Sequence, residues 1–216
     1  MRVLITSGGT REPIDGVRVI ANSSTGATGA ALADAFCKAG FTVTLLRAQH
    51  STGPNLTVTE QFFVTVADLD SACFELLSTQ HFDLVVHAAA VSDFVVESVM
   101  RDGVRHAAPL TGKLSSASKL SVELVPGKKI LPELKGYSRN PNLRLIGFKL
   151  TDGASPEEIR HAVEKVLASG ADLVVQNDQQ TMKTIRAVLW DAQGPGEPLP
   201  DLITLSTHLI GYAKAL

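Results

Sequence analysis

Two cysteines, two tyrosines and one tryptophan in 216 residues, with no basic run longer than Lys128-Lys129, deprive several classes of protein of their chemistry. Cys37 and Cys73 stand in apolar helical patterns, and no second cysteine or histidine lies at ligand spacing from either. A disulfide framework and a Cys/His metal centre are therefore excluded, and reduced core thiols in a cytoplasmic protein are expected. Lys and Arg number 20 against 22 Asp and Glu, a net charge of -2, so the electrostatic footprint of a nucleic-acid partner is missing. No apolar run reaches membrane-spanning length, and the first residues read as a strand rather than a signal peptide, so no membrane partner is expected.

What is present is 44% hydrophobic residues with only 19% charged and 5% aromatic, the profile of an α/β protein whose parallel strands are lined by aliphatic side chains. Residues 3–6, 42–46, 84–87, 144–148 and 173–176 read as strands. Residues 26–39, 66–77, 126–135 and 156–168 read as helices, one closed by Gly40 and another opened by Ser155-Pro156-Glu157-Glu158. The alternation predicts an α/β fold of one domain spanning residues 1–216: a Rossmann-like three-layer sandwich with a mostly parallel sheet. At the tail, residues 185–190 and 201–205 flank a Gly/Pro-rich connection, residues 193–200, and predict an antiparallel C-terminal hairpin followed by a short helix. Residues 99–118 show weak periodicity and read as a long functional loop.

In open α/β sheets ligands bind at the carboxyl ends of the strands, which directs attention to Thr6-Ser7-Gly8-Gly9-Thr10-Arg11-Glu12-Pro13-Ile14-Asp15. A second polar stretch, from Arg18 through Asn22-Ser23-Ser24-Thr25-Gly26-Ala27-Thr28-Gly29, runs directly into an alanine-rich helix. Unpaired N–H groups and the positive end of the helix dipole favour an anion there, the hydroxyls add donors, and Gly26 and Gly29 remove steric obstruction. The plainer reading is a helix merely capped by Ser24 or Thr25. The Walker pattern G-x-x-x-x-G-K-[ST] is absent, and Gly26-x-x-Gly29 lies about twenty residues beyond the first strand, where no dinucleotide fingerprint sits.

These segments, taken with His87-Ala88-Ala89-Ala90-Val91-Ser92-Asp93-Phe94, Gly112-Lys113-Leu114-Ser115-Ser116, Ile146-Gly147-Phe148-Lys149-Leu150 and residues 171–178 (ADLVVQND), resemble phosphopantothenate–cysteine ligase over nearly the whole chain. The Phe-Lys-Leu form resembles the stand-alone ligases rather than the fused bacterial enzymes. The resemblance implies an enzyme of coenzyme A synthesis that joins 4'-phosphopantothenate to L-cysteine. It uses CTP or ATP with Mg²⁺ and passes through an acyl-nucleotidylate with release of pyrophosphate and then CMP or AMP. It also implies a homodimer, with contacts from the tail hairpin or residues 99–118.

By motif, the resemblance gives catalytic roles to Asn22, which holds the acyl-nucleotidylate, to Arg18, needed for its turnover, and to Lys113, which assists nucleotidyl transfer. It places Gly8, Gly9, Ser23, Ser24, Thr25, Gly26, Gly29, His87, Ala89, Asp93, Phe148 and Lys165 at the nucleotide, and Asn22 with Ala90 at the substrate. Asp93 is the candidate Mg²⁺ contact, and for His87 a satisfied core histidine is the competing account. Two departures stand out: Ser169 where the fused enzymes carry a second lysine, and Gly127-Lys128-Lys129 where Asn-Pro-Asp is expected before Ile130. Two rival functions were weighed. An NADP-linked short-chain reductase needs Tyr-x-x-x-Lys, but Pro141 and Leu216 follow Tyr137 and Tyr212 at that spacing. A non-catalytic relative that only binds these ligands would have no need of Arg18, Asn22 and Lys113 together.

Overall fold

A computed structural model describes residues 1–113 and 119–216. Thirteen strands and five α-helices among these residues are numbered in chain order. The central sheet is built from β1 (Arg2–Ser7), β4 (Thr42–Ala48), β5 (Thr59–Phe63), β6 (Leu84–His87), β10 (Arg144–Thr151), β11 (Leu173–Asp178), β12 (Ala187–Asp191) and β13 (Gly194–Leu199). Their order is β13-β12-β11-β10-β6-β1-β4-β5. All pairs from β11 to β5 are parallel, and β12 and β13 add an antiparallel hairpin.

Alternation along the strands decides which core each side chain enters. Val3 and Ile5 of β1 face α1 (Ala27–Lys38) and α5 (Leu202–Lys214), packing with Leu32, Phe36, Leu205 and Leu209. Leu4 faces the opposite layer, formed by α2 (Val66–Thr79), α3 (Leu134–Tyr137) and α4 (Pro156–Ala168), where Leu69, Leu76, Leu134 and Val163 close the core. The sheet is thus covered on both faces, as its aliphatic strands require. Capping boxes at Thr65/Asp68 and Ser155/Glu158 satisfy the first N–H groups of α2 and α4. Cys73 is buried in α2, where loss of hydration and then the nearby Asp70 push its thiol up to about 12, and both cysteines are unpaired. Such a thiol is inert packing.

The structure departs from the sequence reading in three segments. Residues 126–135 are not a helix: Pro126 ends β9 (Leu120–Pro126), and only a 3₁₀ turn, Leu131–Glu133, and the one-turn α3 follow. Residues 99–118 are not simply loop. β7 (Phe94–Arg101) and β8 (Val104–Ala107) form a hairpin, joined by β9 into a three-stranded sheet of order β8-β7-β9. Asp102 and Gly103 make its turn with φ of 49° and 80°, the left-handed pair that a two-residue hairpin demands. In the tail, Asp201 starts α5 as its N-cap, accepting the Thr204 N–H at 2.7 Å, and the second hairpin strand is the segment 194–199. That strand is the sheet edge, where Pro195 and Pro198 cost no ladder bond. The closing helix runs 13 residues and is not short.

Candidate active site

Strand order reverses between β1 and β6: the chain leaves β1 for β4 on one side and returns through α2 to β6 on the other. The carboxyl ends of β1 and β6 therefore diverge into a crevice at the switch point. Backbone bonds knit the two loops beyond it. Ala90 N–H donates to the Gly8 carbonyl at 2.8 Å, Thr10 N–H to that of Ala90 at 3.2 Å, and Ala88 N–H to that of Thr6 at 3.2 Å. Asn22 joins the same cluster: its Nδ2 donates to the Val91 carbonyl at 3.0 Å, and its own carbonyl would lie 2.9 Å from a Cβ on Gly9. A side chain at Gly9 would thus clash with this backbone, and among the described residues the amide oxygen of Asn22 makes no hydrogen bond at the exposed rim.

Below this rim α1 begins at Gly26, its N-cap, at φ 77°, with no acid in its first turn. Thr25 Oγ1, one residue earlier, accepts the Ala27 N–H at 3.3 Å, so of the plainer reading's two candidates Thr25 meets one N–H of the helix start although it is not the N-cap. Ser23, Ser24 and Thr25 are exposed beside it, while Gly26 and Gly29 are buried. Gly29 sits so close to β1 that a Cβ would fall 2.3 Å from Ser7 Oγ, and that hydroxyl itself donates to the Gly26 carbonyl at 2.9 Å. Gly8 and Gly26 both abut Ser51, each leaving 2.7 Å to its Cβ, and Thr52 N–H fixes the Thr25 carbonyl at 2.8 Å. The start of α1 is consequently held in place, with positive potential at the helix end and with the Ala27 N–H turned to Thr25 Oγ1.

Arg18 and Lys113 stand on two segments that are joined to each other. Asp15, buried, accepts the N–H groups of Val17 and Arg18 at 2.8 and 2.7 Å and pairs with the Arg18 guanidinium at 2.6 Å. The turn that carries Arg18 is stitched to the segment before Lys113 by Gly16 N–H to the Gly112 carbonyl at 3.0 Å. Lys113 is exposed there and makes no ion pair among the described residues. Leu114, Ser115 and Ser116 of the same motif lie outside the described residues.

His87 is buried under the crevice, with Nδ1 2.9 Å from Thr6 Oγ1, while that oxygen also accepts the Ala89 N–H at 3.2 Å. Burial lowers its pKa to about 4. The ring is therefore neutral near pH 7 and positions the Ala88–Ala90 segment instead of facing the opening. A histidine neutral in the fold but ionising near 6.5 in the unfolded chain gives stability that is full above pH 6.5 and is lost as pH falls toward 4. The loss amounts to about 3 kcal/mol. Urea titrations at pH 7 and 4.5 should show this drop, and His87→Asn should flatten it relative to the native chain. An equal drop in both proteins would remove His87 as its source.

Asp93 is exposed and ion-paired with Lys129, and Lys128 donates to Asp70 and to the Tyr137 hydroxyl, each at 2.7 Å. The two lysines that replace Asn-Pro-Asp thus have separate partners, only one of them at the site. Among the described residues no three His, Cys, Asp or Glu side chains gather to hold a metal ion. Phe148, half-buried in the middle of β10, and Asn177, near the end of β11, lie on the α1 side of the sheet. The Asn177 side chain makes no hydrogen bond among the described residues, a feature that the motif alone did not single out. Lys165 is exposed in the last turn of α4, beside Val166, which packs on Gly147, and its side chain makes no hydrogen bond or ion pair with the loops around Asn22 among the described residues. Arg186, just before β12, hydrogen-bonds Thr28 of α1, a contact invisible to local sequence patterns.

A doubly wound sheet with a polar crevice at its switch point and a glycine-rich helix start beside it defines a Rossmann-like α/β protein. Within that class the chain belongs to the DNA/pantothenate metabolism flavoprotein C-terminal domain family, whose model matches residues 1–193. Similar curated proteins include the coenzyme A biosynthesis bifunctional protein CoaBC of Thermococcus kodakarensis, 38% identical over 177 residues, and that of Methanocaldococcus jannaschii, 36% identical over 178. Each alignment covers 82% of this chain, and the chain spans only about 40% of the length of these relatives. The crystal structure of the DNA/pantothenate metabolism flavoprotein from Streptococcus pneumoniae superposes with a TM-score of 0.86 at 25% identity, covering 100% of this chain and 99% of that one.

Proposed function

We propose that this chain is a phosphopantothenate–cysteine ligase acting in coenzyme A synthesis. The observation that carries the reading is the convergence of Asn22, Gly9 and the Ala88–Val91 segment at the switch point, a few residues before a helix that has no acid in its first turn. Family membership and the CoaBC relatives support the same chemistry. In the first step a carboxylate oxygen of 4'-phosphopantothenate attacks the α-phosphorus of CTP or ATP, the bond to the β-phosphate oxygen breaks, and pyrophosphate leaves. In the second the cysteine amine attacks the acyl carbon, the acyl–phosphate bond breaks, and CMP or AMP departs as the nitrogen loses a proton.

Each step shifts negative charge between oxygens, so fixed donors at those oxygens lower the barrier. The α1 N–H groups and the hydroxyls of Ser23, Ser24 and Thr25 bind phosphate, and Asn22 holds the acyl-nucleotidylate. Lys113, carried on the segment tied to Gly16, assists nucleotidyl transfer, and Arg18, oriented by Asp15, serves the turnover of the acyl-nucleotidylate to product. Phe148 borders the base, and Ala89 and Ala90 leave room for substrate. Lys165 contributes only if the bound nucleotide extends to the α4 side.

The exposed Asp93 carboxylate fits a single ligand to Mg²⁺ that arrives on nucleotide phosphates, where the ion supplies charge neutralisation. To reach that position the ion must displace Lys129. Lys129→Ala should therefore lower the Mg²⁺ concentration for half-maximal rate by about two- to fivefold, the scale of an exposed ion pair. An unchanged Mg²⁺ dependence would separate Asp93 from the metal.

We read the protein further as a cytoplasmic homodimer. The exposed Phe94, Met100, Val104 and Leu124 of the three-stranded sheet support a self-contact there, which light scattering tests. The reading as a whole is tested by incubating the chain with 4'-phosphopantothenate, L-cysteine and either CTP or ATP. Mass spectrometry should find phosphopantothenoylcysteine with at least one nucleotide, and the two rates set the preference. Absence of product with both contradicts the proposal.

A further inference from the structure

Arg186 lies in the segment between β11 and β12 on a rigid base. Its N–H donates to the Leu199 carbonyl at 2.7 Å, and the next residue, Ala187, is 1% exposed. Its guanidinium crosses to the first turn of α1, where Nη2 donates to Thr28 Oγ1, 158 residues away in sequence. The group is half-buried, no carboxylate pairs with it among the described residues, and desolvation by burial lowers its pKa. A guanidinium has five N–H donors, and a partly desolvated cation without a counter-charge is unfavourable. Here it faces a second positive feature, since α1 begins with no acid in its first turn and its first N–H meets only the neutral Thr25 hydroxyl. Two positive groups fixed side by side, with Thr28 between them, gain most when an anion with several oxygens lies across both.

We infer that Arg186 is a phosphate-binding residue that closes the far end of the nucleotide site and holds the terminal phosphates, the part released as pyrophosphate. This rests on the reading of the crevice given above. Asn22 marks the end where the acyl-nucleotidylate forms, and a polyphosphate running from there along the α1 N–H groups arrives at Thr28 and Arg186. The phosphate of phosphopantothenate offers similar chemistry, so the test must tell the two apart.

Arg186→Gln and Arg186→Lys should be compared with the native chain in steady-state ligation and in direct binding of inorganic pyrophosphate by calorimetry. For Arg186→Gln the KM for the nucleoside triphosphate should rise about tenfold or more, with kcat changing much less, and pyrophosphate affinity should fall to match. The KM for phosphopantothenate should stay within twofold. Arg186→Lys, which keeps the charge and loses the fork, should recover part of the affinity. Thermal melts without ligand should coincide, which a purely structural arginine would not allow. A folded Arg186→Gln with native nucleotide KM and native pyrophosphate affinity overturns the inference while leaving the ligase reading intact. So does a defect confined to the phosphopantothenate KM. If Arg186→Gln does not fold, native affinity in Arg186→Lys has the same force. A native chain that neither ligates nor binds pyrophosphate removes the ligase reading and this inference together.

Discussion

Asn22→Asp should yield a folded protein whose ligation rate is lower by about two to three orders of magnitude, the scale for loss of a positioned donor at a charged transition state. The substitution preserves size, so little else changes locally. Asn22 Nδ2 donates to the Val91 carbonyl at 3.0 Å in an exposed setting, and losing that bond costs about 1 kcal/mol. A carboxylate in its place turns negative charge toward the acyl-nucleotidylate and toward the Val91 oxygen. Melting temperature should therefore barely move while product formation collapses. A comparable fall in both would make Asn22 a structural residue, and retained activity would remove it from the reaction.

Gly29→Ala should have the largest effect on the scaffold itself. The new methyl would meet Ser7 Oγ at 2.3 Å and Ser7 Cβ at 2.5 Å, inside any permitted contact. Because Ser7 Oγ is the donor that fixes the Gly26 carbonyl, α1 must move away from β1 and lose that bond as it moves. Overpacking of this kind costs about 1–3 kcal/mol, and here it also displaces the N–H groups that face the ligand. Urea denaturation should register the loss, and nucleotide binding should weaken with it. Ser7→Gly in the same chain removes the two nearest atoms and should restore much of the stability. If Gly29→Ala alone is neutral, α1 is not held against β1 by this contact.

Much of this architecture was legible because its signals are local. The aliphatic runs of β1, β4, β6, β10 and β11 and the Ser155 capping box each lie within a few residues, and the structure places all of them where the sequence put them. The three-stranded sheet was not legible, since most of its side chains are exposed and the alternation that marks a half-buried strand is missing. Asp102-Gly103 was the one clue to it. The segment after Asp201 resembled a strand because Leu202, Ile203 and Leu205 are apolar, yet only Leu205 of these joins the buried stripe of α5, Ile203 being exposed, and the Gly/Pro-rich β13 is tolerated only as an edge. At the site, Asn22 and the glycines from 26 to 29 were readable as a helix start. The Gly16–Gly112 bond, the Lys129–Asp93 pair and the Arg186–Thr28 contact join residues far apart in the chain and emerge only once the sheet is assembled.

The junction at residues 22–29 is, on this account, where a carboxylate is joined to the α-phosphate of a nucleotide. Rapid mixing of the native chain with 4'-phosphopantothenate and CTP or ATP, with cysteine left out, isolates that event. The account predicts a burst of pyrophosphate approaching one per site, with the acyl-nucleotidylate retained on the protein until cysteine is added. No pyrophosphate with either nucleotide, from protein shown to be folded, would contradict it.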